Sequence, residues 1–426
     1  MNSTSSYNKP LVTEADFAEE LKKPVEDLQA RIDLWDTPFA QNWFSQRGYL
    51  LYRGVYDQAG PTGHTTPSSS STALEPDQTI FPNAYQGGDE IERDDIPSFS
   101  VPVDCAGNVL YAQDSDGCHV AIKLVKDNTD EYRILRLLHE HGIPNSRQDF
   151  ECVIPVLELL QLKTWWFVIM PRWGDCLDRP EPSTVEEIFK LIHCLLKGLN
   201  FLHKNRIAHG DITLGNALVS HFGKYNSWDH QNGLRKKLRS MDFLTYAWMD
   251  FDVSTIFPQR YSPKDCRLPS TKSWQGKPSA FVPDTWQGEH DFDPFAYDVC
   301  SLGATLCMHF QHLTCNAPML APLLDRMVSQ NIASRFTASQ ALLFFEEEVY
   351  PNTTKVQLKA MPRQRTTNQS FEDYDRWADL DSSFVKKWGI YRNPRVPRIT
   401  KLIRIICRYK WGHIIVAWVR RVLHLN

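Results

Sequence analysis

No apolar run in the 426-residue chain approaches the roughly 18–20 residues of a membrane-spanning helix, so a conventional transmembrane protein is not expected. The first thirty residues are polar and acidic and hold no hydrophobic signal core. The ten cysteines are scattered without a C-x-x-C pair, which fits reduced thiols and a cytoplasmic or nuclear setting. No acidic residue follows Asp381. Between Ser382 and Asn426 stand eleven Lys and Arg, so the net charge of −4 divides into +11 for the tail and −15 for the rest. That asymmetry points to an anionic partner for the tail, or to its docking on the protein's own acidic surface. Internal repeats are absent too. What is present excludes a wholly disordered chain: 13 Trp, 22 Phe and 15 Tyr can build a core.

Residues from about Thr13 to Arg47 read as helix, with apolar residues near helical spacing. Gly60–Pro76, with Ser68-Ser69-Ser70-Ser71 inside it, is a low-complexity stretch that cannot bury a core. Short β-rich runs follow at Ser100–Val103 and Val109–Ala112, then the turn pair Asp116-Gly117, then His119–Val125. A helix is expected at Asp130–His141, and strands at Cys152–Leu160 and Trp165–Met170. After Ser183 the pattern is helical, at Val185–His203, Ala296–Phe310 and Ala338–Val349. Strands first and helices afterwards predict a two-lobed α+β unit. The expected division is a helical N-terminal extension (1–58), a flexible linker (59–96), the α+β unit (97–350) and a C-terminal extension (351–426).

Four short motifs occur in order, each with a physical job in phosphoryl transfer. Val120-Ala121-Ile122-Lys123 is an apolar strand ending in a lysine that could reach ATP phosphates if an acid fixed it. Glu131, on the next helix, is placed to be that acid. Alone the pair says little, because a strand lysine is more often an edge residue snorkelling to water. His209-Gly210-Asp211-Ile212-Thr213-Leu214-Gly215-Asn216 follows an amphipathic helix. An Asp and an Asn five residues apart on a tight loop can orient a hydroxyl and hold Mg²⁺; the plainer reading is a polar turn. Trp248-Met249-Asp250-Phe251-Asp252 delivers a carboxylate from a short strand, and hard oxygens suit Mg²⁺. Asp242-Phe243 has similar letters but a poorer preceding strand. Last, Asp298 enters an apolar helix, where a buried carboxylate could cap the loop backbone, with Arg335 downstream.

On these motifs the chain resembles a eukaryotic protein kinase across about Pro97–Tyr350. Tyr246–Phe251 and Asp293-Pro294-Phe295 are similar to stretches of kinase-like proteins abundant in fungi. The resemblance implies an α+β, two-lobed kinase-like fold with a small β-rich N-lobe and a larger helical C-lobe. It also implies ATP and Mg²⁺ as cofactors. Lys123 then matches the phosphate lysine and Glu131 its partner, Asp211 the catalytic aspartate, Asn216 the second metal ligand and Asp250 the metal aspartate. Met170 would back the adenine pocket, with the Pro171 carbonyl and the Trp173 N–H facing the base. A strand that simply leaves the core at a proline is an equal reading of those residues.

Several family features are missing. Ala106-Gly107-Asn108 stands in the place of the Gly-rich phosphate loop with one glycine, Gly107, left to approach the phosphates. Gly210 replaces an Arg, Thr213 a phosphate-neutralising Lys and Asp252 a glycine. Val282-Pro283-Asp284 only approximates Ala-Pro-Glu, with Asp284 one methylene shorter for pairing with Arg335. Ser220–Thr245 is an inserted polar loop. The expected function is an ATP-dependent protein kinase acting on a protein hydroxyl, Ser/Thr favoured over Tyr. Two alternatives stand beside it: a catalytically weak pseudokinase serving as an ATP-binding scaffold, and a small-molecule kinase of the aminoglycoside or choline type. For the tail, Thr400–Leu425 reads as one basic helix with Trp411 and Trp418. It is either an interfacial helix drawn to anionic lipid, giving peripheral membrane attachment, or a helix packed on a lobe. Nucleic acid is disfavoured by the acidic body.

Overall fold

The computed structural model describes residues 13–23, 28–57, 60–65, 81–87, 107–144, 146–223, 233–274, 282–365 and 369–423. The expected strand Ser100–Val103, Ala106 and residues 66–76 of the low-complexity stretch lie outside them. The chain forms two compact units, 1–181 with 218–246 and 182–217 with 247–426. One is β-rich and the other helical, the two-lobed α+β architecture of a protein kinase-like fold.

The first unit is built on an antiparallel five-stranded sheet. Along the chain its strands are β1 (Leu50–Leu51), β5 (Val109–Gln113), β6 (His119–Lys126), β7 (Glu158–Leu162) and β8 (Trp165–Pro171), arranged β1-β5-β6-β8-β7. Within β6, Val120, Ile122 and Leu124 are buried on one face, and the period of two turns Lys123 to the other. Three short helices, α1 (Glu14–Leu21), α2 (Leu28–Trp35) and α3 (Pro38–Ser45), stand where one long helix was expected. Thr13 caps the first start as expected, but Thr37 caps a new one and Pro38 fits its first turn, so the chain restarts there rather than continues. These helices cover the Ile122 face. Phe167 of β8 has Phe44, Trp43, Trp35 and Phe17 at ring distances of 4.8, 5.2, 6.2 and 6.3 Å.

The connection from β1 to β5 is long, and its described parts include further strands. It contains the hairpin β2 (Arg53–Asp57) and β3 (Gly60–Thr65), and then β4 (Tyr85–Gln86). Strands therefore occupy two pieces of the stretch expected as a flexible linker, and β1 and β2 lie inside the expected N-terminal extension. Periodicity could not show β1 or β4, because a two-residue strand carries no pattern, and Gly60-Pro61 with Gly63 makes β3 read as a turn. β4 pairs in parallel with β9 (His221–Phe222), inside the inserted loop. α4 (Asp130–His141) spans the residues expected and starts on a Thr129 cap, and α6 (Gly233–Ser240) completes the unit.

The second unit is helical. α5 (Val185–Lys204) is capped by Thr184, and α7 (Pro294–Phe310) by Asp293, whose Oδ1 accepts from the N–H groups of Phe295 and Ala296 at 2.9 and 3.0 Å. α7 is apolar nearly all round and correspondingly buried. α8 (Leu320–Met327), α9 (Ala338–Phe344) and α10 (Lys355–Lys359) follow, with a wide π-type turn at Phe345–Val349 where the helix was expected to continue. The C-terminal extension belongs to this unit's core. Buried Asp325 accepts from Arg376 Nε at 2.6 Å, Trp377 Nε1 at 2.8 Å and the Asn393 N–H at 2.8 Å. α11 (Ser382–Trp388), α12 (Arg398–Cys407) and α13 (Lys410–Val422) end the described chain. The single terminal helix expected is thus two, broken at Arg408-Tyr409. There the chain turns so tightly that a Cβ on Gly412 would meet the Ile406 carbonyl oxygen at 2.1 Å.

Candidate active site

In the first unit, Lys123 Nζ lies 2.5 Å from Glu131 Oε1, both side chains largely withdrawn from solvent. β6 presents the lysine on the face opposite the aromatic core, and the first turn of α4 presents the glutamate. Glu131 also suits the positive end of that helix. Gly107 has φ +63°, and its carbonyl accepts the Trp35 indole N–H at 3.0 Å. Gly107, the one glycine expected in the place of a phosphate loop, is therefore held by the N-terminal helices.

The Met170–Trp173 segment ends β8. Met170 pairs with Ala121 and Pro171 with Val120. Arg172 N–H donates to the His119 carbonyl at 3.0 Å. The alternation of an antiparallel ladder then turns the Pro171 nitrogen and carbonyl away from β6, so the missing N–H removes no bond there. Trp173 is buried, and its indole N–H donates to the Pro82 carbonyl at 2.8 Å. The sequence reading missed Arg172, which is buried among aromatics. Its guanidinium lies 4.1 Å from the Phe222 ring and 4.8 Å from the Tyr111 ring, and it donates to the Tyr52 hydroxyl at 2.8 Å. It also missed Arg235 and Arg239, spaced i,i+4 on α6. Arg235 donates to the Asp175, Cys176 and Arg179 carbonyls at 3.0–3.1 Å, and Arg239 to the Leu177 carbonyl at 2.9 Å. Two arginines one turn apart on an otherwise basic helix look like a solvated face, so composition gives no signal of their burial.

In the second unit the Asp211 loop is fixed from three sides. Asp298 is fully buried and accepts the His209 and Gly210 N–H groups at 2.7 and 2.9 Å, with His203 Nε2 at 3.1 Å. His209 is equally buried; its Nε2 faces the Met249 carbonyl at 3.0 Å and its Nδ1 accepts the Asp211 N–H at 3.3 Å. Those partners select the neutral Nε2–H tautomer. Asn216 Nδ2 donates to the Asp211 carbonyl at 2.8 Å and to Asp211 Oδ2 at 2.9 Å. Asp211 Oδ1 is buried and has no hydrogen-bond donor among the described residues. The Met249 N–H donates to the Asn216 carbonyl at 3.0 Å, which brings the Asp250 motif beside the loop. Asp250 has φ +64°, a conformation that short polar side chains tolerate best. Asp242, the look-alike, follows α6 in the first unit.

The departures have structural counterparts. Gly210 has φ +80°, and a Cβ there would sit 3.3 Å from the Val253 carbonyl oxygen, so this loop excludes an arginine on conformational grounds. Thr213 is buried, and Asp252 is exposed beside buried Phe251. The shorter Asp284 still reaches Arg335. Its two oxygens accept from Nη1 at 2.5 Å and Nη2 at 2.9 Å, a buried bidentate pair. No group of three or more His, Cys, Asp or Glu side chains able to hold a metal occurs among the described residues.

No family model matches the chain. Across 169 residues it is 27% identical to the dual specificity protein kinase CLK4 of Mus musculus, and equally to that of Homo sapiens, covering 34% of this chain and 34% of each relative. The chain thus spans about a third of the length of the curated relatives it matches. With the fold, this similarity places the chain's likeness at the level of the eukaryotic protein kinases. Neither relative is fungal.

Proposed function

We propose that the chain is an ATP-dependent protein kinase that transfers the γ-phosphoryl group to a protein hydroxyl, Ser or Thr in preference to Tyr. The observation that carries this reading is Asp211: one carboxylate oxygen is clamped by Asn216, and the other is buried with no donor among the described residues. A buried acceptor without a donor is costly unless something donates to it, and a substrate hydroxyl would. In this reading Lys123, fixed by Glu131, contacts the α- and β-phosphates. Pro171 and Trp173 offer main-chain groups to the adenine behind which Met170 stands, and Gly107 approaches the phosphates. The donor set fits Mg²⁺: the Asn216 amide nitrogen is committed to Asp211, which leaves its oxygen and the Asp250 carboxylate as hard ligands. The metal would neutralise charge on the β- and γ-phosphate oxygens. Asp211 accepts the hydroxyl proton and holds the nucleophile in line. The fungal affinity rests on Tyr246–Phe251 and Asp293–Phe295 alone. We further infer that the tail, 382–426, faces an anionic surface, from its charge of +11.

A scaffold is the second reading, favoured by buried Thr213 in place of a lysine and by the long β1–β5 connection in place of a glycine loop. The test is phosphorylation of the chain itself and of myelin basic protein, compared with Asp211→Asn. The expected loss is about 10²–10⁴-fold, with ATP and Mg²⁺ still raising the melting temperature of both proteins. Wild-type labelling no higher than the variant's, with the thermal shift intact, establishes the scaffold instead. Labelling of an aminoglycoside or choline would redirect the reading to small molecules.

A further inference from the structure

A surface helix of a soluble protein turns its apolar stripe to the core and its charges to water. α13 does the reverse. Its inner face consists of Gly412, His413, Val416 and Arg420, at helical spacing. A Cβ on Gly288 would come within 2.7 Å of Val416, and Arg420 Nη1 donates to the Gln287 carbonyl at 3.0 Å and lies 3.2 Å from Glu289 Oε1. The outer face carries Trp411, Ile414, Ile415, Trp418 and Val422, between 53% and 64% exposed. α12 repeats the pattern. Arg404 is buried and paired with Glu372, Cys407 is buried, and Ile399, Leu402 and Ile405 are 54–68% exposed. No described helix is long and apolar enough to cross a membrane.

Resting on the reading of the tail as facing an anionic surface, we propose that α12 and α13 form an interfacial membrane anchor. Ile399, Leu402, Ile405, Ile414, Ile415 and Trp418 enter the headgroup–acyl boundary of a bilayer rich in anionic phospholipid. The occupant follows from charge and composition together. Arg398, Arg408, Lys410 and Arg421 are exposed beside the apolar stripe, and no carboxylate of the segment opposes a negative surface. Tryptophan and tyrosine suit the headgroup level. The inner face makes the anchor a fixed part of the second unit, bound to Gln287–Glu289 immediately after the Asp284–Arg335 pair.

The experiment is co-sedimentation of the full chain with phosphatidylcholine vesicles, with and without phosphatidylserine, for wild type, Ile414→Asp/Trp418→Asp and Arg408→Gln/Arg421→Gln. Melting temperatures serve as a check that these exposed substitutions leave the fold intact. Wild type should bind only the serine-containing vesicles. The aspartate pair should lose at least about tenfold in partitioning, and the glutamine pair should lose binding as salt is raised. If the aspartate pair binds as well as wild type, the tail adsorbs by charge alone: insertion is overturned while the anionic-surface reading stands. If wild type binds neither vesicle, both fail. If sedimentation velocity shows a dimer that Ile414→Asp/Trp418→Asp dissolves, a second copy covers this face and the anchor is wrong.

Discussion

At the scale of single residues, His221 shows how an imidazole can be built in as a structural group. Its Nε2 faces the Gly87 carbonyl at 2.9 Å and its Nδ1 accepts Arg235 Nε at 3.1 Å, so both nitrogens are committed in the neutral ring. Burial, reinforced by Arg235, pushes its pKa down to about 3; burial and Arg172 push His119 down to about 4. An unfolded histidine titrates near 6.5. The unfolded chain therefore takes up protons first, so stability is complete above about pH 6.5 and falls as the pH drops toward the folded values. The loss is about 1.4 kcal/mol per pH unit for each ring. Thermal unfolding of the chain between about pH 6.5 and 5 should approach this slope, and His221→Gln should reduce it by about one ring's share. An unchanged slope would mean that His221 is not held neutral. Gly210 offers a second measurement. Because its φ of +80° is strained for any L side chain, Gly210→Ala should cost about 1–2 kcal/mol by denaturant titration.

At the scale of elements, the buried Arg335–Asp284 pair joins the turn Pro283–Thr285 to the loop before α9. Arg335→Met leaves a buried carboxylate without its guanidinium and should lower stability by about 3–5 kcal/mol, whereas replacing both partners by apolar residues should cost much less. A double-mutant cycle by denaturant melts decides it, and additive effects would contradict the pairing. Much at this scale was legible in the sequence. The strand carrying Lys123, the α4 stretch and the helix carrying Asp298 announce themselves by period and spacing. Asp298 does meet the loop backbone. β1 was not legible, because two residues have no period and their partner strand lies beyond residues 52–108. Nor were Arg172 and Arg235 legible as buried groups. An arginine enters a core only where several carbonyls or aromatic faces converge on it, and that convergence is tertiary. The split into α12 and α13 was hidden for a related reason: the apolar pattern runs through Arg408-Tyr409 unbroken, and only the close approach of Gly412 to Ile406 reveals the turn.

At the scale of the whole molecule, the charge division of −15 and +11 has to be reconciled with a tail that is structurally part of the second unit. Lys401 meets Asp373 at 2.5 Å, Arg404 pairs with Glu372, Arg420 reaches Glu289, and Asn393 donates to Asp325. Trp388 packs edge-on to Phe344 with ring centroids 6.0 Å apart. A dispensable appendage would leave none of these groups bereft. Deletion of 382–426 instead strips partners from Asp325, Glu372 and Glu289; burial already raises the Glu289 carboxyl above the usual range. It also leaves a body of charge −15 with no internal counterweight. The truncated chain should therefore lose several kcal/mol, with about 3–5 kcal/mol expected wherever a buried acid loses its only cation. At this size each kcal/mol shifts the midpoint by about 2–4 °C. Part of the loss should return on adding salt, which screens the body's self-repulsion, and part on lowering the pH enough to protonate the abandoned carboxylates. Calorimetry of both chains across salt and pH separates these contributions. A truncated chain that melts with wild type under every condition would show that the tail's ion pairs contribute nothing to the unit on which they sit.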